Sequence, residues 1–207
     1  MNKAKLKPFT IEHFAKWTGN LTLDSGEKWV PEPFQLAFVK DVFHGYPSCW
    51  LIVPEGNGKT TLVAGLALYF CEFSPQPVSI PVAASARDQA EILYRQAEGF
   101  VLRSKPLHDL VSSALQVIRG KLKLEVPRFR ALPGHRRIEH YKGSRIQVQA
   151  ADERTGDGVI FRLALIDELH RHRNLALWRT WAGKIFKQGG QVIVIRSEEH
   201  TSELQSQ

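Results

Sequence analysis

Cys49-Trp50-Leu51-Ile52-Val53-Pro54-Glu55-Gly56-Asn57-Gly58-Lys59-Thr60-Thr61 is the stretch that decides the fold. Its first five residues form a short, continuously apolar run, as in a strand buried on both faces. From Lys59 to Phe70 the chain reads as a helix. The two elements therefore enclose a short loop rich in glycine. Gly56 and Gly58 allow close approach of the backbone to an anion and turn its N–H groups inward. The helix beginning near Lys59 offers its positive end to the same anion. Lys59 has the reach to meet β- and γ-phosphates, and the Thr60 hydroxyl suits Mg²⁺. Strand, glycine loop, Lys-Thr and helix together are the setting of a phosphate-binding loop, with Asn57 and Thr61 inside it. One feature departs from the usual pattern. The glycine expected five residues before Gly58 is Val53.

Further strands and helices alternate on either side. Pro31 and Pro33 punctuate the start of a helix that Gly45 can end. Residues 78–84 read as a strand, followed by a long amphipathic helix from Arg87 to about Leu102, with Ser85 and Asp88 as its cap. Strand-like alternation recurs at 121–126 and 145–149. Phe161-Arg162-Leu163-Ala164-Leu165-Ile166-Asp167 is an apolar strand ending in an acid. A helix over roughly 175–186 and a strand over 191–195 complete the pattern. Strands alternating with helices predict an α/β fold with a largely parallel sheet covered on both faces. In such a sheet Asp167 projects at the carboxyl edge, the edge that also carries the glycine loop. That is where an acid holds Mg²⁺, and the adjacent Glu168 is placed to act as general base towards water.

Composition sets the bounds. The chain has 207 residues, 43% hydrophobic, with 11 Phe and 5 Trp, which excludes intrinsic disorder. Two cysteines, Cys49 and Cys71, are too few for a disulfide scaffold and read as core residues of a protein in a reducing cytosol. No apolar run approaches the roughly 18 residues of a membrane helix. His170 and His172 flank Arg171, but no Cys-x-x-Cys or His-Glu-x-x-His pattern supports zinc. His170 reads either as a residue coupled to nucleotide state or as an exposed helix-start histidine. The net charge is +7, and residues 101–145 alone hold eleven Lys or Arg against three acids. This segment reads as a surface for nucleic acid phosphates or as a solvated polar face.

Three motifs together resemble a known family. Residues 54–61, Ala83-Ala84-Ser85-Ala86-Arg87-Asp88-Gln89-Ala90 and Leu165-Ile166-Asp167-Glu168-Leu169-His170 look like the ATPase domain of tailed-phage terminase large subunits of the HK97-like type. Ala150-Ala151-Asp152-Glu153 and Thr155-Gly156-Asp157-Gly158 add to the likeness, in the family's motif order. The resemblance implies a P-loop NTPase of the ASCE or RecA-like kind, over residues 33–195, that uses ATP and Mg²⁺ to package double-stranded DNA into procapsids. It implies Lys59 and Thr60 on phosphate and metal, Asp167 on the metal, Glu168 on water, and Gln35 as an adenine-reading amide. It also implies a terminase small subunit, a portal and procapsid, a homo-oligomeric ring, and the cytoplasm of a bacterial host. Glu55 stands where many members carry a basic residue, so an arginine finger would come from Arg87, Arg154 or Arg162. Two other readings stay open: a superfamily-2-like helicase, since Asp167-Glu168-Leu169-His170 resembles the helicase box, and a nucleotide- or DNA-binding module without hydrolysis.

Both ends of the chain depart from the central pattern. Residues 1–32 read as an N-terminal segment. Residues 196–207 hold one apolar side chain and no periodicity, and they resemble the translation of a common sequencing adapter. They read as a tail foreign to the protein, standing where the family continues with small coupling residues and then a nuclease domain. No nuclease activity is expected of this chain.

Overall fold

The computed structural model describes residues 6–84, 87–117, 120–149, 162–167, 176–187 and 189–197. Helices α1 (Ile11–Thr18) and α2 (Pro33–His44) precede strand β1 (Ser48–Val53) and helix α3 (Lys59–Phe73). Strand β2 (Ser79–Ala84) leads into helix α4 (Arg87–Arg103) and the short α5 (Lys105–His108). Five short strands follow: β3 (Leu110–Val117), β4 (Gly120–Pro127), β5 (Phe129–Leu132), β6 (Arg137–His140) and β7 (Arg145–Val148). The chain then forms β8 (Leu163–Asp167), α6 (Ala176–Lys187) and β9 (Gln191–Ser197).

Local chemistry sets the ends of several helices. The Thr10 hydroxyl accepts the His13 N–H at 3.3 Å and caps α1. Pro33 opens α2, and Gly45 closes it at φ 87, where a side chain would be strained. Helix α3 has no polar face. From Leu62 to Glu72 every residue is buried, as befits a helix enclosed on all sides.

Seven strands form the central sheet in the order β1-β9-β8-β2-β7-β6-β5. The strands β1, β9, β8, β2 and β7 run parallel, and β6 and β5 are added antiparallel at one edge. The expected α/β architecture with a largely parallel sheet is therefore present. Handedness explains the two layers. The crossover from β1 through α3 to β2 and the crossover from β8 through α6 to β9 travel across the sheet in opposite directions. Right-handed connections then place α3 and α6 on opposite faces. Leu163, Leu165, Ile193 and Ile195 accordingly join the α3 core, while Ala164, Ile166, Val192 and Val194 join Trp181, Ala182 and Ile185 of α6.

Residues 6–32 contribute to the main core. Phe14, Leu21 and Trp29 are buried in the cluster that holds α3. Trp29 stacks on Phe100 with ring centroids 5.7 Å apart, and a Cβ at Gly65 would lie only 2.4 Å from the Trp29 ring. Gly65 is therefore what lets the N-terminal segment seat against α3. The apolar spacing of residues 11–18 is helical, but the run is too short to stand out in the sequence. Among the described residues no helix is long and apolar enough to cross a membrane.

Candidate nucleotide site at the carboxyl edge of the sheet

The glycine loop leaves β1 at Val53 and enters α3 at Lys59. Gly56 has φ 81 and Gly58 has φ 66, both in the left-handed region that a side chain disfavours. The loop holds its own shape through Asn57, whose Nδ2 donates to the Pro54 carbonyl at 3.2 Å and the Glu55 carbonyl at 3.4 Å. The first intrahelical bond, Leu62 N–H to the Gly58 carbonyl, is 2.9 Å long. The amides of Lys59, Thr60 and Thr61 thus belong to the first turn, which has no carbonyl partners of its own inside the helix. Lys59 is only 8% exposed. A buried ammonium beside the positive end of a helix makes this a place that favours an anion.

Gln35 meets this loop from α2. Its Oε1 accepts the Glu32 N–H at 3.0 Å, and its Nε2 donates to the Asn57 carbonyl at 3.4 Å. A Cβ at Gly58 would come within 3.2 Å of the same Nε2. Each group of the amide keeps bonding capacity beyond these two bonds.

Asp167 ends β8 and is 6% exposed. It lies at the same edge as the loop, but β9 stands between the two strands. The register pairs Val53 with Ser197 and Asp167 with Ile195. With strands about 4.8 Å apart and a two-residue offset along them, the backbones at Asp167 and Val53 are separated by roughly 12 Å. Ser197 is 2% exposed at the tip of the intervening strand. The sequence reading assigns it to the foreign tail, and only the pairing of β9 with both neighbours brings it to this edge.

Several expected site residues fall elsewhere. Glu168, His170 and Arg154 lie outside the described residues, as do the side chain of Arg87 and residues 150–158 of the resemblance. Arg162 precedes β8 and its carbonyl accepts the Gln191 N–H at 3.0 Å, so it sits at the amino edge of the sheet. A five-residue strand, about 16 Å, separates it from the edge with Asp167. It is not placed to reach the loop of its own chain. Cys49 and Cys71 are free and buried, and burial pushes both thiols up, which keeps them unreactive. Among the described residues no group of His, Cys, Asp and Glu is arranged to hold a metal by itself.

The basic segment is partly neutralised. Arg103 pairs with Asp24, Arg128 with Glu72 at 2.7 Å, Arg136 with Glu91 at 3.3 Å and Arg137 with Glu139 at 3.0 Å. Lys105, Arg130 and Lys142 are exposed. Lys121 and Lys123 lie on the hairpin β3–β4, a two-stranded sheet separate from the main one.

The family model of the terminase large subunit, ATPase domain, matches residues 36–203. The chain belongs to that family. Solved structures agree on the fold. The large terminase of bacteriophage HK97 superposes with a TM-score of 0.70 at 20% identity, over 90% of this chain and 37% of that one. The large terminase ATPase domain of Thermus phage P74-26 gives 0.52 at 15% identity, over 86% of this chain and 70% of that one. A large terminase from a thermophilic bacteriophage gives 0.50 at 9% identity, over 72% of this chain and 34% of that one. This terminase-family chain therefore spans little more than a third of the HK97 protein's length. No curated protein sequence matches it. The β9 strand extends two residues past Ile195, and the family match runs on to residue 203.

Proposed function

We propose that the chain binds ATP with Mg²⁺ in the loop over residues 54–61 and hydrolyses it, as the motor part of a terminase large subunit that drives double-stranded DNA into a procapsid. One observation carries the reading. A buried lysine opens a helix behind two left-handed glycines, at the sheet edge that also presents a buried carboxylate. The donor set fits the metal: a hydroxyl and a carboxylate are the hard oxygen ligands Mg²⁺ takes. Thr60 and Asp167 would hold it. When bound, Mg²⁺ neutralises charge on the β- and γ-phosphates.

The chain's own residues do the rest. The Gly56, Gly58 and first-turn amides orient the phosphates, and Lys59 places a positive charge on the transferring group. Glu168, directly after Asp167, takes a proton from the attacking water. Gln35, at the loop's flank, reads the adenine edge. By the same reading the motor works as a homo-oligomeric ring on a portal, with a terminase small subunit choosing the DNA, in the cytoplasm of a bacterial host. ATP affinity and turnover, measured in wild type, Lys59→Ala and Glu168→Gln, test it. Lys59→Ala is expected to lose binding. Glu168→Gln is expected to bind and to turn over about 10²–10⁴ times more slowly. Equal turnover in wild type and Glu168→Gln would remove the base role.

A further inference from the structure

The far end of α3 carries a cluster that the nucleotide site does not use. Glu72 lies in the last turn of α3, with its side chain 7% exposed. A carboxylate there faces both desolvation and the negative end of the helix. Two side chains answer it. Oε1 accepts Arg128 Nη1 at 2.7 Å, and Oε2 is 3.1 Å from His140 Nε2. The His140 ring is buried between Phe129 and Tyr141, each 4.6 Å away centroid to centroid.

Arg128 is also the neck of the β3–β4 hairpin. Its N–H donates to the carbonyl of Asp109, the residue before β3, at 3.0 Å. Its own carbonyl accepts the Tyr141 N–H at 3.0 Å. One carboxylate thus fastens the hairpin neck and the antiparallel edge of the sheet to α3. The other end of α3 is Lys59 and the glycine loop. The helix between them is a rod about 22 Å long, buried along its length.

Stability alone does not require this cluster. Replacing a buried ion pair by apolar side chains of similar volume is often neutral or stabilising. Nor is it fully satisfied: among the described residues, Arg128 Nε and His140 Nδ1 are buried without a hydrogen-bond partner. A partly satisfied network opens more readily than an apolar one.

We propose that Glu72 is a positioning residue: its clasp on Arg128 and His140 couples the β3–β4 hairpin to the phosphate loop through α3. Force or binding at the basic hairpin then reaches the loop as a shift of one rigid helix. The functional meaning rests on the nucleotide reading above; the mechanical coupling does not.

Amide hydrogen exchange of the wild-type chain, Glu72→Gln and Arg128→Lys tests the coupling without nucleotide. Glu72→Gln is expected to speed exchange about tenfold, the effect of losing a charge-assisted hydrogen bond, at the hairpin neck and also at Gly56 to Leu62. The central strands β8 and β9 should not change. Arg128→Lys keeps a cation beside Glu72 but loses the guanidinium fork, and should give the same pattern at lower amplitude. It carries the test if Glu72→Gln does not fold. Faster exchange confined to the neck, or rising evenly through the sheet, overturns the coupling. ATP binding measured on the same proteins separates the two claims. A chain whose loop responds to Glu72→Gln yet binds no ATP keeps the coupling and sinks the nucleotide reading.

Discussion

Gly58 is constrained twice. Its φ of 66 is one that a side chain disfavours, and its missing Cβ makes room for the Gln35 amide. Gly58→Ala is therefore expected to cost about 1–2 kcal/mol of stability and, on the proposed reading, to weaken ATP binding by a larger free energy than that. Calorimetric titration beside thermal melting would separate the two effects. Gly65 is different, because its space is filled by Trp29. Gly65→Ala should lower stability by about 1–3 kcal/mol through overpacking, visible in denaturant melts. Glu72 gives a pH prediction. Burial alone would raise its carboxyl, but the His140 hydrogen bond and the charges of His140, Arg128 and Lys142 outweigh burial and hold it below the usual glutamate value. As pH falls the unfolded chain takes up this proton first, so the folded state loses ground. The contribution is complete above the ordinary glutamate range and fades as pH drops through the lower folded value. Melts of wild type and Glu72→Gln should therefore converge towards acid pH. A constant gap would remove the carboxylate from that role.

At the scale of elements, legibility follows length and context. The strand β1, the glycine loop and α3 are readable because an unbroken apolar run, two glycines and a Lys-Thr pair occur in order. Strand β8 is readable for the same reason. The strands β5 and β6 are not, since each is four residues long and carries charges. Only pairing makes them strands, β6 with β7 and β5 with β6, and a hairpin edge is set by partners rather than by composition. Strand β1 also shows what pairing leaves undone. Among the described residues it is hydrogen-bonded on one side only. Trp50 is 46% and Ile52 49% exposed on the face that α6 shares, and Ser48 to Val53 carry no charge. An uncharged apolar edge strand invites another strand. Self-association of the chain is therefore expected to rise with concentration, and Trp50→Lys should suppress it in light scattering. Scattering unchanged by Trp50→Lys would move the contact elsewhere.

For the whole molecule, the charge count needs the fold to interpret it. Eleven basic side chains in residues 101–145 suggest one phosphate-binding surface. Arg103, Arg128, Arg136 and Arg137 instead face Asp24, Glu72, Glu91 and Glu139, acids that mostly come from distant parts of the chain. If the hairpin meets DNA, reversing Lys121 and Lys123 to Glu should weaken binding and reduce the log–log salt slope by about two. Arg128→Ala should instead destabilise the fold and leave the slope nearly unchanged. A salt titration of both variants decides between these outcomes. By itself the sequence determined the strand–loop–helix, the acid-tipped strand, the α/β class and the family resemblance. These rest on local patterns: backbone freedom at two glycines, apolar runs and the order of motifs. The tertiary structure decided that β9 separates β1 from β8, that residues 6–32 share the core, that Arg162 faces away from the loop, and which basic side chains are engaged by acids. Each of these is a long-range pairing, and a pairing between distant residues depends on both partners, so neither segment read alone contains it.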